Sequence, residues 1–330
     1  MVPVLRASGH EVTGLDTFYY ADCGFGEASD RVPARRKDVR DVEADDLDGF
    51  DAVVHLAAVG GHAPDDLHAA WIHAIDHQAS VRLAELARES GVQRFLYASS
   101  WRVYGSARSD EVLAENAPLR PASPAAVAKA RTEESLAKLA DGSFSPIFMR
   151  SAATYGLSPR LRVDGLLNSL VFWAHLTGCI RVVGDGSPWY SVVHAQDVAR
   201  AFAVALAAPR DAIHGHAFNV GANGENYQIR ELVEIVRSTV PGCSVQYAEA
   251  DEPAPGSCRV DFSKLVRTFP DFRPEWNALF GAKDLYAALL EAGMTLSDFE
   301  GGKYIRGSRI NHLRTLGVLD ASLRWAVPAS

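Results

Sequence analysis

Five features of the sequence carry side chains with chemistry to offer. The strand-like run "VQRFLYASS" (92–100) ends in paired hydroxyls, Ser99 and Ser100. The segment "SPAAVAK" (123–129) places Lys129 four residues after Ala125, so a helix there sets both on one face. "HEVTGLD" (10–16) ends in Asp16, whose carboxylate at a strand end can accept bonds from both hydroxyls of a ribose and repels a 2′-phosphate. "GGHAPDDLHAAWIHAIDH" supplies His62, His68, His73 and His77, and an imidazole titrates near neutrality, where it can move a proton. His73 and His77 have the i, i+4 spacing also used for metals, but packed or solvated helix histidines are commoner, and no metal site is expected. Arg259, in "SCRVDFSK", carries a guanidinium fork that matches phosphate oxygens.

These residues need a scaffold, and the pattern of elements names one. "DAVVHLAA" (51–58) is an apolar run of buried-strand type, "VQRFLYASS" the next strand and "SPIFMR" (145–150) another. Between them lie a helix through "HAAWIHAIDHQASVRLAELARESG", stopped by Gly91, and a second from about Pro124 to Ala140. Strands alternating with helices predict an α/β fold, a Rossmann-like doubly wound parallel sheet wrapped on both faces. Residues 1–150 are read as the dinucleotide-binding part. Residues 151–330, with helices near 163–177, 196–208, 227–240, 282–292 and 308–317, are read as a smaller α/β substrate-binding part mixed with elements that return to the first sheet.

Composition limits the classes of function. With 330 residues, 48% hydrophobic and 22% charged, the chain can bury a large core. A net charge of -8 argues against a nucleic-acid or anionic-membrane surface. Cys23, Cys179, Cys243 and Cys258 are scattered and read as free thiols of a reducing compartment, the cytoplasm.

Taken in order, the motifs resemble the extended short-chain dehydrogenases/reductases, the NAD-dependent epimerase/dehydratase family, and within it the nucleotide-sugar epimerases. "VVHLAA" is similar to the family's strand-end motif, "YASSWRVYG" (97–105) to its "SSxxVYG", "RSAATYG" (150–156) to its "R-x-x-N-x-Y-G", "GDGSPWYSVVHAQDVARAF" (184–202) to its "GDG…R…H-x-x-D-x-A-x-A" segment, and the tail "FEGGKYIRGSRINHLRTLGVLDASLRW" to that of a nucleotide-sugar-epimerase-like subgroup. The resemblance runs from residue 1 to about 285. It implies an NAD cofactor held by Asp16, Asp38, Val39, Leu56, Ala57, Ala58, Ser99 and Lys129. Ser100 would bond the sugar oxygen beside the reacting carbon. Lys129 would bind the nicotinamide ribose and depress a phenol's pKa. Ser100, Tyr104, Asn168, Tyr190 and Arg259 would face a small-molecule substrate, a nucleotide sugar. Relatives pair two helices per subunit, so the helices near 65–90 and 123–141 suggest a homodimer.

The chain also departs from that pattern. Ala125 occupies the place of the family's proton-moving tyrosine, Tyr190 that of a diphosphate-binding arginine and Ala153 that of an asparagine. The glycine-rich pyrophosphate loop is absent, and Met1 to Ser8 reads as the helix that normally follows it. Either a first strand lies upstream, which is the favoured expectation, or another segment fills its place in the sheet. His62 is the candidate replacement for the missing phenol. Three functions remain open: an NAD-dependent epimerase/dehydratase-like enzyme passing a hydride transiently from a sugar carbon, which is preferred; a repurposed enzyme of elimination or cyclisation; and a pseudoenzyme.

Overall fold

The computed structural model describes residues 1–26, 32–59, 66–108, 111–249, 257–300 and 302–326. Strands β1 (Gly14–Asp16) and β2 (Ala34–Arg36) form a parallel pair in which Asp16 lies opposite Arg36. Strands β3 (Ala52–His55) and β4 (Arg94–Ser100) precede the short β5 (Val112–Leu113). Then come β6 (Ser145–Ser151), β7 (Ala153–Tyr155), β8 (Cys179–Val183), β9 (Trp189–His194) and β10 (Ala217–Val220). The last three are β11 (Asn226–Gln228), β12 (Ser244–Ala248) and β13 (Arg259–Val260). The central sheet has the order β3-β4-β6-β10 and every pairing in it is parallel.

Alternation along these strands explains why helices cover both faces. On β4 and β6, Phe95, Tyr97 and Phe148 join a buried cluster with Ala79, Leu83, Ala84 and Leu136 of the covering helices. Their neighbours Leu96, Ile147 and Met149 point the other way, onto Ala201, Phe202 and Ala205 of the Ala195–Ala207 helix. Each such aromatic or aliphatic side chain contributes about 1.5–3 kcal/mol by leaving water. A slip of one residue would reverse both faces at once.

Among the described residues, β1 and β3 are not hydrogen-bonded to each other, and no other strand pairs with the edge each turns away from its partner. The β1–β2 pair and the four-stranded sheet therefore stand as two sheets. The α/β reading holds, and β10 pairs with β6 in the central sheet.

Two features depart from the pattern read in the sequence. The helix after β3 is helical in three pieces, Asp66–Trp71, a π-helical stretch Ile72–Gln78 and Ala79–Glu89. The wider π turn rotates Asp76 inward, where it is 2% exposed. The tail after the Arg306–Thr315 helix folds back over β1 and β2, burying Leu319 and Leu323 in the cluster that holds Val39 and Trp71. Trp325 donates its indole N–H to Thr17 O at 2.8 Å and lies 4.5 Å beneath the Arg36 guanidinium. Trp71 donates to Ala321 O, also at 2.8 Å, and Tyr19 to Leu323 O.

A second core joins the Leu166–Thr177, Ile229–Thr239 and Ala278–Ala292 helices to β8, β9 and β12. Gly281 is needed there, because a Cβ at this position would come 2.2 Å from the Tyr155 ring. No helix among the described residues is long and apolar enough to cross a membrane.

Candidate active site

The carboxyl end of β4 is the focus. Ser123 caps the Pro124–Ala137 helix by accepting from Ala126 N at 3.3 Å, and Pro124 starts it with a preset φ. That start fixes the helix register, so Lys129 reaches over the end of β4. Its Nζ donates to Ala98 O at 2.5 Å and sits 5.2 Å from the centre of the Tyr97 ring. Burial pushes the Lys129 ammonium pKa down, while the carboxylates of Asp76 and Glu133 oppose that shift and Arg306 adds to it. Ala125, half-buried, lies one turn before Lys129 on the same helix.

Around this lysine the polar groups are paired. Ser99, buried, donates to Glu133, whose carboxylate grips Arg150 at 2.6 Å. Arg150 in turn donates to Tyr104 Oη at 2.9 Å, and Tyr104 donates to Asn219 Oδ1 at 2.7 Å. Burial pushes the Tyr104 phenol up, and its hydroxyl is fully engaged in this network, so Tyr104 is placed as structural framework. Burial likewise raises the Tyr97 pKa. His55 donates to or accepts from Ser80 Oγ at 2.7 Å, and burial, with the charge of Lys129, pushes it down to about 3. It is neutral at pH 7.

Asp76 and Glu133 were not anticipated from the sequence. Asp76 Oδ1 accepts from Val59 N at 2.7 Å, tying the loop after β3 to the π turn. Its carbonyl accepts from Ser80 and Thr132. A signal existed: an acid lies on the same face as Ile72, Ala79 and Leu83, where only apolar residues belong.

Ser100 is half-buried and accepts from Arg102 N at 3.2 Å, so it caps the short turn that follows β4. Asp16 is exposed at the end of β1, where its carboxylate accepts from Phe18 N at 2.6 Å. Leu56, 49% exposed, and Ala57, also exposed, follow β3, with Ala58 half-buried beside them. Asp38 is occupied: it caps its own turn and pairs with Arg40 at 2.6 Å, which in turn donates to Ser322 O and Leu323 O of the tail. Although burial pushes against it, this pairing holds the Asp38 pKa below its usual value. Val39 packs into the core at 7% exposure.

The expected substrate residues differ in what they already hold. Asn168 is buried, accepting from Gly156 N at 3.0 Å and donating to Arg162 O at 2.6 Å, so both its polar atoms serve the fold. Arg259 lies 4.9 Å over the Trp189 ring beside a cavity of about 310 Å³ lined also by Asn223, Asn226 and Asp261. Tyr190 accepts from Arg102 Nη2 at 2.7 Å. His62 lies outside the described residues. The His73 and His77 rings lie tilted with centres 5.7 Å apart, and His77 reaches Thr132 Oγ1 at 3.1 Å. Among the described residues, no cluster of three or more His, Cys, Asp or Glu side chains could hold a metal ion.

The chain is similar to several known proteins. The UDP-glucose 4-epimerase of Mycolicibacterium smegmatis is 32% identical over 261 residues, 73% of this chain and 78% of that one. A Bacillus subtilis protein named as an uncharacterized UDP-glucose epimerase is 28% identical over 225 residues, 66% of this chain and 68% of the other. The Streptomyces venezuelae dTDP-glucose 4,6-dehydratase DesIV, solved with NAD bound, superposes with a TM-score of 0.75 at 25% identity, covering 90% of this chain and 95% of that one. MoeE5 in complex with UDP-glucose and NAD gives 0.74 at 26% identity, over 89% and 95%. Residues 1–221 match the NAD dependent epimerase/dehydratase family. The chain belongs to that NAD-dependent family.

Proposed function

We propose that the protein is a nucleotide-sugar epimerase/dehydratase-like enzyme with an altered proton-transfer group. The observation that carries this reading is the Lys129 ammonium, half-buried and anchored on Ala98 O where β4 delivers Ser99 and Ser100. A structural lysine gains little from such a place, since burying its charge is costly. An ammonium there suits a ribose hydroxyl and a developing negative oxygen.

Several of the residues have the chemistry to hold NAD. Lys129 would hold the nicotinamide ribose, Asp16 the adenosine ribose, and exposed Leu56 and Ala57 would cover an apolar ring face. Asp38 and Val39 are already committed to the protein itself. When bound, NAD accepts a hydride from a sugar carbon and can return it. Ser100 would position the sugar oxygen by a hydrogen bond, and the charge of Lys129 would favour that oxygen's ionised form. Ala125 moves no proton, so that role falls to another group. Two subunits would pair through the helices at residues 66–89 and 124–137.

A specific observation favours a second reading, a non-redox elimination or cyclisation. Tyr97 and Tyr104, on β4 and the turn after it, are buried, and Tyr104 is held between Arg150 and Asn219. Neither offers a phenol for the missing step. Incubating the protein with NAD and UDP-glucose or dTDP-glucose decides the matter. An epimerised or 4-keto product supports the first reading. Bound NAD with no sugar oxidised and no such product rejects it in favour of the second.

A further inference from the structure

The turn after Ser100 contains a cation that pairs with no anion among the described residues. Arg102 is exposed, and its guanidinium lies 5.3 Å from the centre of the Trp101 ring and 5.6 Å from that of Tyr190. Those two rings meet edge to face at 5.0 Å, and Trp101 is 1% exposed, so the shelf beneath the guanidinium is rigid. The Tyr190 hydroxyl takes one of its N–H groups at 2.7 Å. An arginine has five such donors in a fixed fork, so a parallel pair remains to donate. Arg40, Arg150 and Arg200 each hold a carboxylate, whereas Arg102 has none within ion-pair distance among the described residues.

The location gives this fork a use. The Arg102 amide donates to Ser100 Oγ, so the guanidinium and the hydroxyl read as the sugar contact rise from one turn, and Tyr190 meets it from β9. We infer that Arg102 is a specificity-determining residue that receives a carboxylate carried on the sugar ring, so the preferred substrate class is a nucleoside-diphosphate uronic acid. The inference rests on the nucleotide-sugar reading above. A carboxylate matches the fork with two parallel charge-assisted bonds, and the aromatic shelf holds the cation ready before the ligand arrives. A neutral hydroxymethyl group would leave the cation with only water and Tyr190.

Calorimetric titration of the full-length protein with UDP-glucuronic acid and with UDP-glucose tests this, using wild type, Arg102→Gln and Tyr190→Phe, each checked for folding by circular dichroism. The expected result is a loss of UDP-glucuronic acid affinity of about 10–100-fold in Arg102→Gln, with UDP-glucose changed less than about 3-fold. Tyr190→Phe, which only frees the guanidinium, should give a smaller loss for the same ligand. Equal loss for both sugars would mean that the cation reads the diphosphate, and would overturn the carboxylate assignment. No change for either would overturn any role for Arg102 in binding. If folded wild type binds neither sugar nucleotide, the nucleotide-sugar reading itself has failed and the inference falls with it.

Discussion

A phenol placed at position 125 should supply a proton-transfer group beside Lys129. Ala125 and Lys129 are one helical turn apart, which sets their Cβ atoms about 5–6 Å from each other. A phenolate about 6 Å from the Lys129 ammonium, at an effective dielectric constant of about 20, gains roughly 2.8 kcal/mol. That attraction corresponds to about two pKa units and would bring a tyrosine from about 10 to about 8. A general acid/base so tuned typically contributes ~10²–10⁴-fold in rate. In Ala125→Tyr, single-turnover reduction of NAD by UDP-glucose or UDP-glucuronic acid should therefore accelerate by about two orders of magnitude or more. Its rate should also acquire a rise with pH centred near about 8, absent from wild type. An Ala125→Tyr protein that binds NAD and sugar as wild type does, yet reacts no faster and shows no new pH dependence, would refute the placement of Lys129 and Ala125 in the reacting centre.

Three further outcomes follow from the same geometry. Glu133→Gln strands the buried Arg150 guanidinium and should cost about 3–5 kcal/mol in urea denaturation; a loss below about 1 kcal/mol would mean that water already reaches the pair. Burial, helped by the charge of Asp197, pushes Glu225 up to about 7, against about 4.3 in the unfolded chain. The folded state therefore binds the extra proton between those values, and this contribution is present at low pH and lost as pH rises through about 7. Wild-type stability should fall between pH 5 and 8 by roughly 2–3 kcal/mol more than that of Glu225→Gln, and parallel pH profiles would contradict it. Trp325→Ala removes the bond to Thr17 O and the ring beneath Arg36, and should lower stability by about 2–3 kcal/mol while exposing β1 and β2 to faster amide exchange; an unchanged exchange pattern would show that the tail does not cover them.

The alternation of strands and helices was legible because buried parallel strands read as unbroken apolar runs and their partner helices carry apolar stripes. Ser100 and Lys129 were legible for a related reason: a strand end and a capped helix start fix their positions locally. What escaped the sequence was nonlocal or broke the regular period. The π turn turns Asp76 inward, which a 3.6-residue period does not anticipate. The Glu133–Arg150 pair joins a helix to a neighbouring strand, and nothing in either segment names the other. The tail's return to Thr17 and Tyr19 spans some 300 residues of sequence. Asp38 was read as a ligand contact, but Arg40 two positions on competes for the same carboxylate and holds it. Arg102 stood within a recognised motif, and only its meeting with Tyr190 from β9 gives it a direction.

The account depends most on a dinucleotide lying between Asp16 and Lys129. Titration of NAD into the full-length protein, alongside Lys129→Met and Asp16→Asn, measures this directly. Saturable binding by wild type, weakened about 10-fold or more by either substitution, is the predicted result. Binding with the same affinity in all three proteins, or no binding by folded wild type, would contradict it.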